Sequence, residues 1–209
     1  MNTSSQTSIY NMALAAIGES RFITSPAEGS LQANTCNVFW DSVRDQCLQD
    51  APWGFAMRFT PLQLITKTVP GWRNVYAVPS DCLQARAIMS TPDAVPTAFG
   101  PSCIDRYRKI PYEIVENVTG LAIATNIDTP TLAYTARITT VPMWSPAFVN
   151  AISLLLASRI VSPLSSDPVK YAQVVSKAYE IAISKAVALS LNESQAKPDP
   201  ESEFISIRG

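Results

Sequence analysis

The sequence contains no histidine, and its charge is low and almost balanced. Its 209 residues include 16 lysines and arginines and 17 aspartates and glutamates, a formal net charge of −1. Without histidine the chain lacks imidazole bases, Ser-His-Asp triads and histidine metal ligands. Its charge also argues against a protein that coats nucleic acid, because neutralising phosphates requires clustered lysine and arginine. A charged fraction of 16% beside 47% apolar residues favours a protein whose surface partly meets another protein.

Glycine is scarce, and no two cysteines are close together. With 7 glycines and no GxGxxG, GxxxxGK[ST] or GxSxG sequence, the chain lacks the familiar phosphate loops and the nucleophile elbow. Four cysteines lie too far apart for a CxxC zinc motif, and we expect them to be reduced and apolar: Cys36, Cys47, Cys82 and Cys103. We therefore predict no catalytic residue, no cofactor and no metal site.

Neither secretion nor membrane insertion is indicated. The first residues lack a basic region followed by a continuous apolar run, so synthesis in a cytoplasm is expected. The most apolar segment, 147–164, includes Asn150, Arg159 and Pro163 and is marginal for the roughly 20 residues of a membrane span. We interpret it as a buried helix and expect no membrane partner.

Four helices are predicted, two on each side of a proline-rich middle. The first has five apolar residues on one helical face: Ile9, Met12, Ala13, Ala16 and Ile17. A cap is expected at Thr7 or Ser8, and Gly18 is expected just after the end of the helix. The second is expected from Glu28 or Ser30 to Gln49. Ser145-Pro146 predicts the start of a third helix extending to about Val161, and a fourth is expected over about 169–191.

The middle of the chain, 53–142, is predicted to be a small antiparallel sheet. Ten prolines between positions 52 and 142 exclude a long helix, and short β-branched and aromatic runs lie between them. Six strands are expected: Phe59–Ile65, Trp72–Val78, Leu83–Met89, Tyr112–Val115, Leu121–Thr125 and Thr131–Thr139. Alternation in the last of them indicates a strand buried on one face.

These elements give an α+β prediction: a mainly helical body of about four helices, an inserted small antiparallel β region and an extended C-terminal arm. The body would comprise 1–52 and 143–192, the insertion 53–142 and the arm 193–209. Val174 and Ile181 fall within the polar stripe of the fourth helix, so we expect a neighbouring subunit to cover them. The arm carries an acidic, proline-containing linker before four residues expected to dock elsewhere: Phe204, Ile205, Ile207 and Arg208.

Two chemical alternatives rest on local clusters. Glu113 and Glu116 are the candidate carboxylates of a glycoside hydrolase, although three residues apart in a strand they point to opposite faces. The segment 105–109, which contains Tyr107 between basic residues, is the candidate nucleic-acid contact. A solvated loop is the favoured interpretation of that segment.

Several short strings, in a fixed order, resemble a known family. The order is Ala13-Leu14 with Ile17-Gly18-Glu19, then Glu28, then Trp53 with Phe55-Ala56 and Arg58, then Leu62, and then Tyr76 with Pro79, Asp81, Cys82 and Leu83. It resembles the head–tail adaptors of short-tailed double-stranded DNA phages, the tail tubular protein A or gatekeeper (head-completion) group. The resemblance is best over residues 8–89; residues 145–191 match only in helical layout.

The resemblance implies a structural virion protein and not an enzyme. It implies a dodecameric ring under the portal at the head–tail junction, which extends the DNA channel and carries the tail nozzle protein, with DNA passing through without sequence-specific binding during ejection. The C-terminal arm would bind the portal. The alternative is an adaptor-like protein with muralytic (peptidoglycan hydrolase) activity, using Glu113.

The residues themselves predict structural roles for these motifs. Trp53 and Phe55 would anchor the change from helix to sheet, and Gly18 would adopt a positive φ. Pro79 and Asp81 would form a turn in which the Asp81 carboxylate accepts from downstream backbone amides.

Overall fold

A computed structural model describes residues 4–89, 110–117 and 120–193, with residues 190–193 described for the backbone alone. Over these ranges the chain is α+β, with four α-helices and two antiparallel sheets. The helices are α1 (Gln6–Ala16), α2 (Leu31–Asp50), α3 (Pro146–Leu164) and α4 (Pro168–Glu193). The strands are β1 (Met57–Pro61), β2 (Gln63–Leu64), β3 (Asn74–Ala77), β4 (Cys82–Met89), β5 (Tyr112–Asn117), β6 (Gly120–Thr125) and β7 (Thr131–Ala136).

Serine side chains begin three of the helices. The capping residues are Ser5, Ser30 and Ser145. Each hydroxyl accepts a hydrogen bond from the backbone amide three residues later, an amide that has no partner within the helix. The predicted starts of α2 and α3 are confirmed. The predicted cap of α1 at Thr7 or Ser8 was wrong, because Ser5 and Ser8 form a reciprocal capping box that starts the helix earlier.

α3 is the central helix, and α1, α2 and α4 pack against it. Among the described residues it is the one helix long and apolar enough to cross a membrane. Its mean hydropathy is 1.6, and 56% of its most apolar stretch is buried inside the protein. Its buried residues include Phe148, Ile152, Leu156 and Ile160, and they belong to the main core. The predicted burial of this segment is confirmed.

The first sheet has the strand order β1-β7-β4 and contributes to the main core. Every residue of β7 is buried, although its alternating sequence predicted a strand buried on one face and extending to Thr139. That prediction was wrong, because the Thr131, Ala133 and Thr135 side chains on the other face are also covered and the strand ends at Ala136.

The second sheet has the order β2-β3-β6-β5. One of its faces has a small core of its own, formed by Val75, Ala122 and Ala124 under Trp72 and Val115. Its other face contributes Ile123 to the main core.

The prediction of a mainly helical body with one small inserted β region was wrong, because the described residues contain two sheets. The predicted strand Phe59–Ile65 is divided: Pro61 pairs with Thr131 in the first sheet, whereas Gln63 pairs with Ala77 in the second. The chain changes sheets at Leu62, whose amide bonds to the Pro130 carbonyl (2.9 Å). Since Pro61 cannot donate a ladder hydrogen bond, it suits the end of a strand. The predicted arm falls outside the described residues beyond Glu193.

Candidate functional site

Aromatic rings from two segments of the chain meet where α2 is followed by the first sheet. We call this cluster of Trp53, Phe55, Trp144 and Phe148 the aromatic junction. The ring of Phe148, in the first turn of α3, lies 5.0 Å from Trp53, 5.2 Å from Phe55 and 4.9 Å from Trp144. All three pairs are close to edge-to-face, the arrangement that aromatic quadrupoles favour. Trp53 and Phe55 therefore lie at the change from helix to sheet, as predicted.

Two polar side chains satisfy carbonyls in the last turns of α2. The Trp53 indole donates to the Cys47 carbonyl (2.7 Å), and the Arg86 guanidinium donates to the Gln49 carbonyl (2.9 Å) and to the Thr135 hydroxyl (2.9 Å). Such carbonyls lack partners within the helix, and a cation there complements the helix dipole. Burial lowers the pKa of Arg86 from its ordinary value. The sequence did not single out Arg86.

Arg58 and Asp81 form an ion pair beside a tight turn. Their side chains approach to 2.5 Å, and the Tyr134 hydroxyl donates to the other Asp81 oxygen (3.1 Å). The turn itself is closed by the Cys82 amide on the Pro79 carbonyl (3.0 Å), as predicted. The predicted role of the Asp81 carboxylate was wrong, because it binds side chains across the first sheet rather than downstream amides.

Gly18 ends α1 in the left-handed conformation, with φ +77°, which confirms the prediction. The amides of Gly18 and Glu19 bond to the carbonyls of Ala15 (3.1 Å) and Leu14 (3.0 Å), the two bonds of a Schellman motif. A Cβ atom on Gly18 would lie 2.7 Å from the Tyr171 hydroxyl oxygen of α4. Glycine is thus required here for both conformation and space.

Glu28 organises the loop that precedes α2. Its carboxylate accepts from the Ser30 hydroxyl (2.6 Å) and from the amide (2.7 Å) and hydroxyl (2.9 Å) of Thr24. These bonds, that of Ser30 first, lower the pKa of Glu28 to about 2. Since Ser30 is also the cap of α2, Glu28 fixes the cap in place. The residues of the resemblance described so far therefore lie in turns or where helices and sheets join.

Arg44 is the one charged residue among the described residues that is buried. It pairs with Asp41 (2.7 Å) and Asp45 (2.8 Å), and Asp45 also pairs with Arg137 at the end of the first sheet (3.0 Å). The burial of Arg44 follows from its partners, which compensate the desolvation of the guanidinium.

An apolar groove lies between α4 and the aromatic junction. It has a volume of about 510 Å³, and its walls are Trp53, Phe55, Pro146, Ala147, Ala186 and Leu189. Leu189 is 47% exposed. Nothing in the sequence indicated the groove, because its walls come from three separate parts of the chain.

Two helices expose apolar pairs spaced by seven residues. Leu31 and Val38 on α2 are 66% and 75% exposed, and Val174 and Ile181 on α4 are each 59% exposed. Seven residues are about two turns, so each pair forms a stripe along its helix. We call them the α2 stripe and the α4 stripe. The exposure expected of Val174 and Ile181 is confirmed; their role as a subunit interface stays a prediction.

The charges beside the two stripes are opposite. Lys177, exposed on α4, lies between Val174 and Ile181 along the helix, whereas Asp41 follows Val38 by three residues on α2 and its side chain is 81% exposed. Asp41 is also paired with Arg44 on the same helix, so part of its charge is compensated within the subunit.

Glu113 and Glu116 do not face each other across a cleft. Both lie on β5, in unbroken register with β6, so the three-residue spacing directs them to opposite faces. Glu113 accepts from the Trp72 indole (2.7 Å), and the Glu116 backbone carbonyl accepts from Lys67. Hydrolysis by paired carboxylates requires both groups to flank one bond.

The described cysteines are buried or half-buried thiols. Burial raises the pKa of Cys36 to about 12 and that of Cys82 to about 11, and it also raises the pKa of Cys47. Neutral thiols are poor nucleophiles and poor metal ligands. No group of three or more cysteine, aspartate or glutamate side chains able to hold a metal occurs in the part of the chain that the structure describes.

Three predicted features lie outside the described residues. They are the docking residues Phe204, Ile205, Ile207 and Arg208, the segment 105–109 with Tyr107, and Cys103.

Comparison of the sequence with models of protein families finds no match, and comparison with curated proteins finds none either.

Proposed function

We propose that this chain is a head-to-tail adaptor of a short-tailed double-stranded DNA phage, a structural protein of the virion. Its subunits form a ring, on the resemblance a dodecamer, beneath the portal protein. The ring extends the DNA channel and carries the tail nozzle protein. The resemblance of residues 8–89 motivates the proposal.

The two exposed stripes are the structural observation that carries it. A closed ring needs heterologous contacts, in which each subunit presents two different and complementary surfaces. The α2 stripe and the α4 stripe lie on different helices, are both apolar and have opposite charges beside them. We propose that the α4 stripe of one subunit contacts the α2 stripe of the next.

The low charge of the chain fits a conduit. DNA has to slide through the channel, and a strongly basic wall would hold its phosphates. The formal net charge of −1 avoids such a grip.

Binding of the C-terminal arm to the portal protein can be tested by truncation. We expect removal of residues 198–209 to abolish co-purification with the portal protein, because Phe204, Ile205, Ile207 and Arg208 are lost together. A chain lacking only Ala196 and Lys197 is the matched control, because those two residues lie in the linker. Unchanged portal binding by the truncated chain would refute the arm.

The orientation of Glu113 and Glu116 favours the adaptor over the muralytic alternative. Peptidoglycan zymography of the wild-type chain distinguishes them: the adaptor proposal expects no clearing. Clearing that is lost in Glu113→Gln would support the hydrolase instead.

A further inference from the structure

We infer that the apolar groove binds residues 204–207 of the same chain. The groove thereby keeps the arm bound to its own subunit until a partner protein binds the arm instead. This inference extends the proposed function. The identity of the partner as the portal protein rests on that proposal, whereas docking of the segment in the groove does not.

The lining of the groove fits an aromatic and aliphatic segment. Its walls are mainly apolar side chains, including the rings of Trp53 and Phe55, with Ser145 also in the lining. Its 510 Å³ lies within the range of about 300–1,000 Å³ typical of ligand pockets. The segment Phe204-Ile205-Ser206-Ile207 offers one aromatic and two β-branched side chains. Aromatic rings that meet at their edges and faces add specificity to such contact.

The path of the chain makes the same subunit the source of the segment. Leu189 lines the groove, and Glu193 lies about 6 Å further along α4 at 1.5 Å per residue. Eleven residues then lead from Glu193 to Phe204, and in extended form they span up to about 36 Å. Pro198 and Pro200 disfavour continuation of the helix, and the extended length of the segment is sufficient for a return to the groove.

Tethering and charge both favour this occupant. A segment on a short linker has an effective concentration in the millimolar range, which exceeds that of free chains in solution. The segment is preceded by Glu201 and Glu203, and the exposed Lys185 lies one helical turn from Leu189 on α4. The acidic linker can therefore meet a cation at the edge of the groove.

Photo-crosslinking of the full-length chain tests the inference. We expect Phe204→p-benzoylphenylalanine to crosslink within one chain to residues 53–55, 146–147 or 186–189, as mapped by mass spectrometry. Leu189→Asp should reduce the crosslinked fraction by at least about tenfold, because it puts a charge into the apolar wall. Val169→Asp, an equivalent change of an exposed residue about 30 Å away on α4, should leave it unchanged.

A second measurement needs no bulky probe. In the otherwise unmodified chain, Phe204→Ser should accelerate hydrogen exchange of segments 53–56 and 186–189 and leave exchange in α2 unchanged. The inference would be overturned if hydrogen exchange did not accelerate. It would equally be overturned if the crosslinks were absent, formed at other residues, formed between chains, or persisted unchanged in Leu189→Asp.

Portal binding separates this inference from the proposed function. Leu189→Asp frees the arm, so we expect it to bind the portal at least as tightly as the wild type, whereas Phe204→Ser weakens binding. Absent groove crosslinks with portal binding that depends on Phe204 would refute only the inference. Groove crosslinks without any portal binding would refute only the adaptor proposal.

Discussion

Gly18 and Gly29 have nearly the same left-handed backbone but different surroundings. Their φ angles are +77° and +74°, and a Cβ atom would meet Tyr171 at Gly18 but nothing within 4 Å at Gly29. We expect Gly29→Ala to lower the free energy of unfolding by about 1 kcal/mol, the strain of the conformation alone. Gly18→Ala should lower it by at least about 1 kcal/mol more, because of the added overlap. Urea unfolding of both variants measures the difference, and equal losses would contradict this account.

Glu28 makes the loop before α2 sensitive to acid. Its pKa is lowered from 4.5 to about 2 in the folded chain, so its stabilising contribution is complete above about 4.5 and is lost as the pH falls through about 2. We expect an NMR titration of the Glu28 carboxyl to have its midpoint near 2. Glu28→Gln should destabilise the protein at neutral pH and have little effect at pH 2. A midpoint near 4.5 would refute the hydrogen-bonded loop.

Individual side chains differ in how far the sequence predicts them. The positive φ of Gly18 could be predicted, because it depends only on the end of one helix. The partners of Asp81 and the burial of Arg44 could not, since they depend on Arg58 and Tyr134 in one case and on Asp41 and Asp45 in the other. A carboxylate in a turn is chemically able to bind either downstream amides or distant cations.

The aromatic junction joins helices to sheet, and Phe148 lies at its centre. We expect Phe148→Ala to lower the free energy of unfolding by about 3–5 kcal/mol, because three ring contacts are lost and a cavity remains. Phe22→Ala, at an exposed phenylalanine, should change it by less than about 0.5 kcal/mol. Both values follow from urea unfolding. Similar losses in the two variants would contradict a central role for Phe148.

The helices and most of the strands were predictable from this sequence to within a few residues, whereas the arrangement of the strands in two sheets was not. Helix periodicity and the serine caps are local, so α2 and α3 begin as predicted. Strand pairing is not local: the continuous run Phe59–Ile65 contains no signal, apart from Pro61, that its two halves join different sheets. The burial of both faces of β7 likewise depends on side chains from elsewhere in the chain, such as that of Arg86, which donates to the Thr135 hydroxyl.

The proposed ring depends on contact between the α2 stripe and the α4 stripe. We expect Val38→Asp and Ile181→Asp each to abolish assembly without lowering the unfolding temperature, because both side chains are exposed in the subunit. An equimolar mixture of the two variants should form heterodimers and no rings, since one intact α4 stripe then meets one intact α2 stripe. Native mass spectrometry, under conditions in which the wild-type chain assembles, distinguishes these species.

Leu64→Asp is the matched control, because Leu64 is also exposed but lies on the second sheet. It should assemble as the wild type does. Rings formed by either stripe variant alone would contradict a heterologous contact between the stripes.

Part of one stripe could be predicted from the sequence, whereas the groove could not. Two members of the α4 stripe could be predicted, since Val174 and Ile181 interrupt a polar helical face. The groove could not, because Trp53, Pro146 and Leu189 come together only in the folded chain.

The most direct test of the adaptor proposal is electron microscopy of the purified protein mixed with the portal protein of the same phage, with the mass of the complex measured in parallel. We expect a ring of twelve subunits on the portal, coaxial with its channel and with an open centre. A chain that does not bind the portal, or that binds without forming a closed ring, would contradict the proposal.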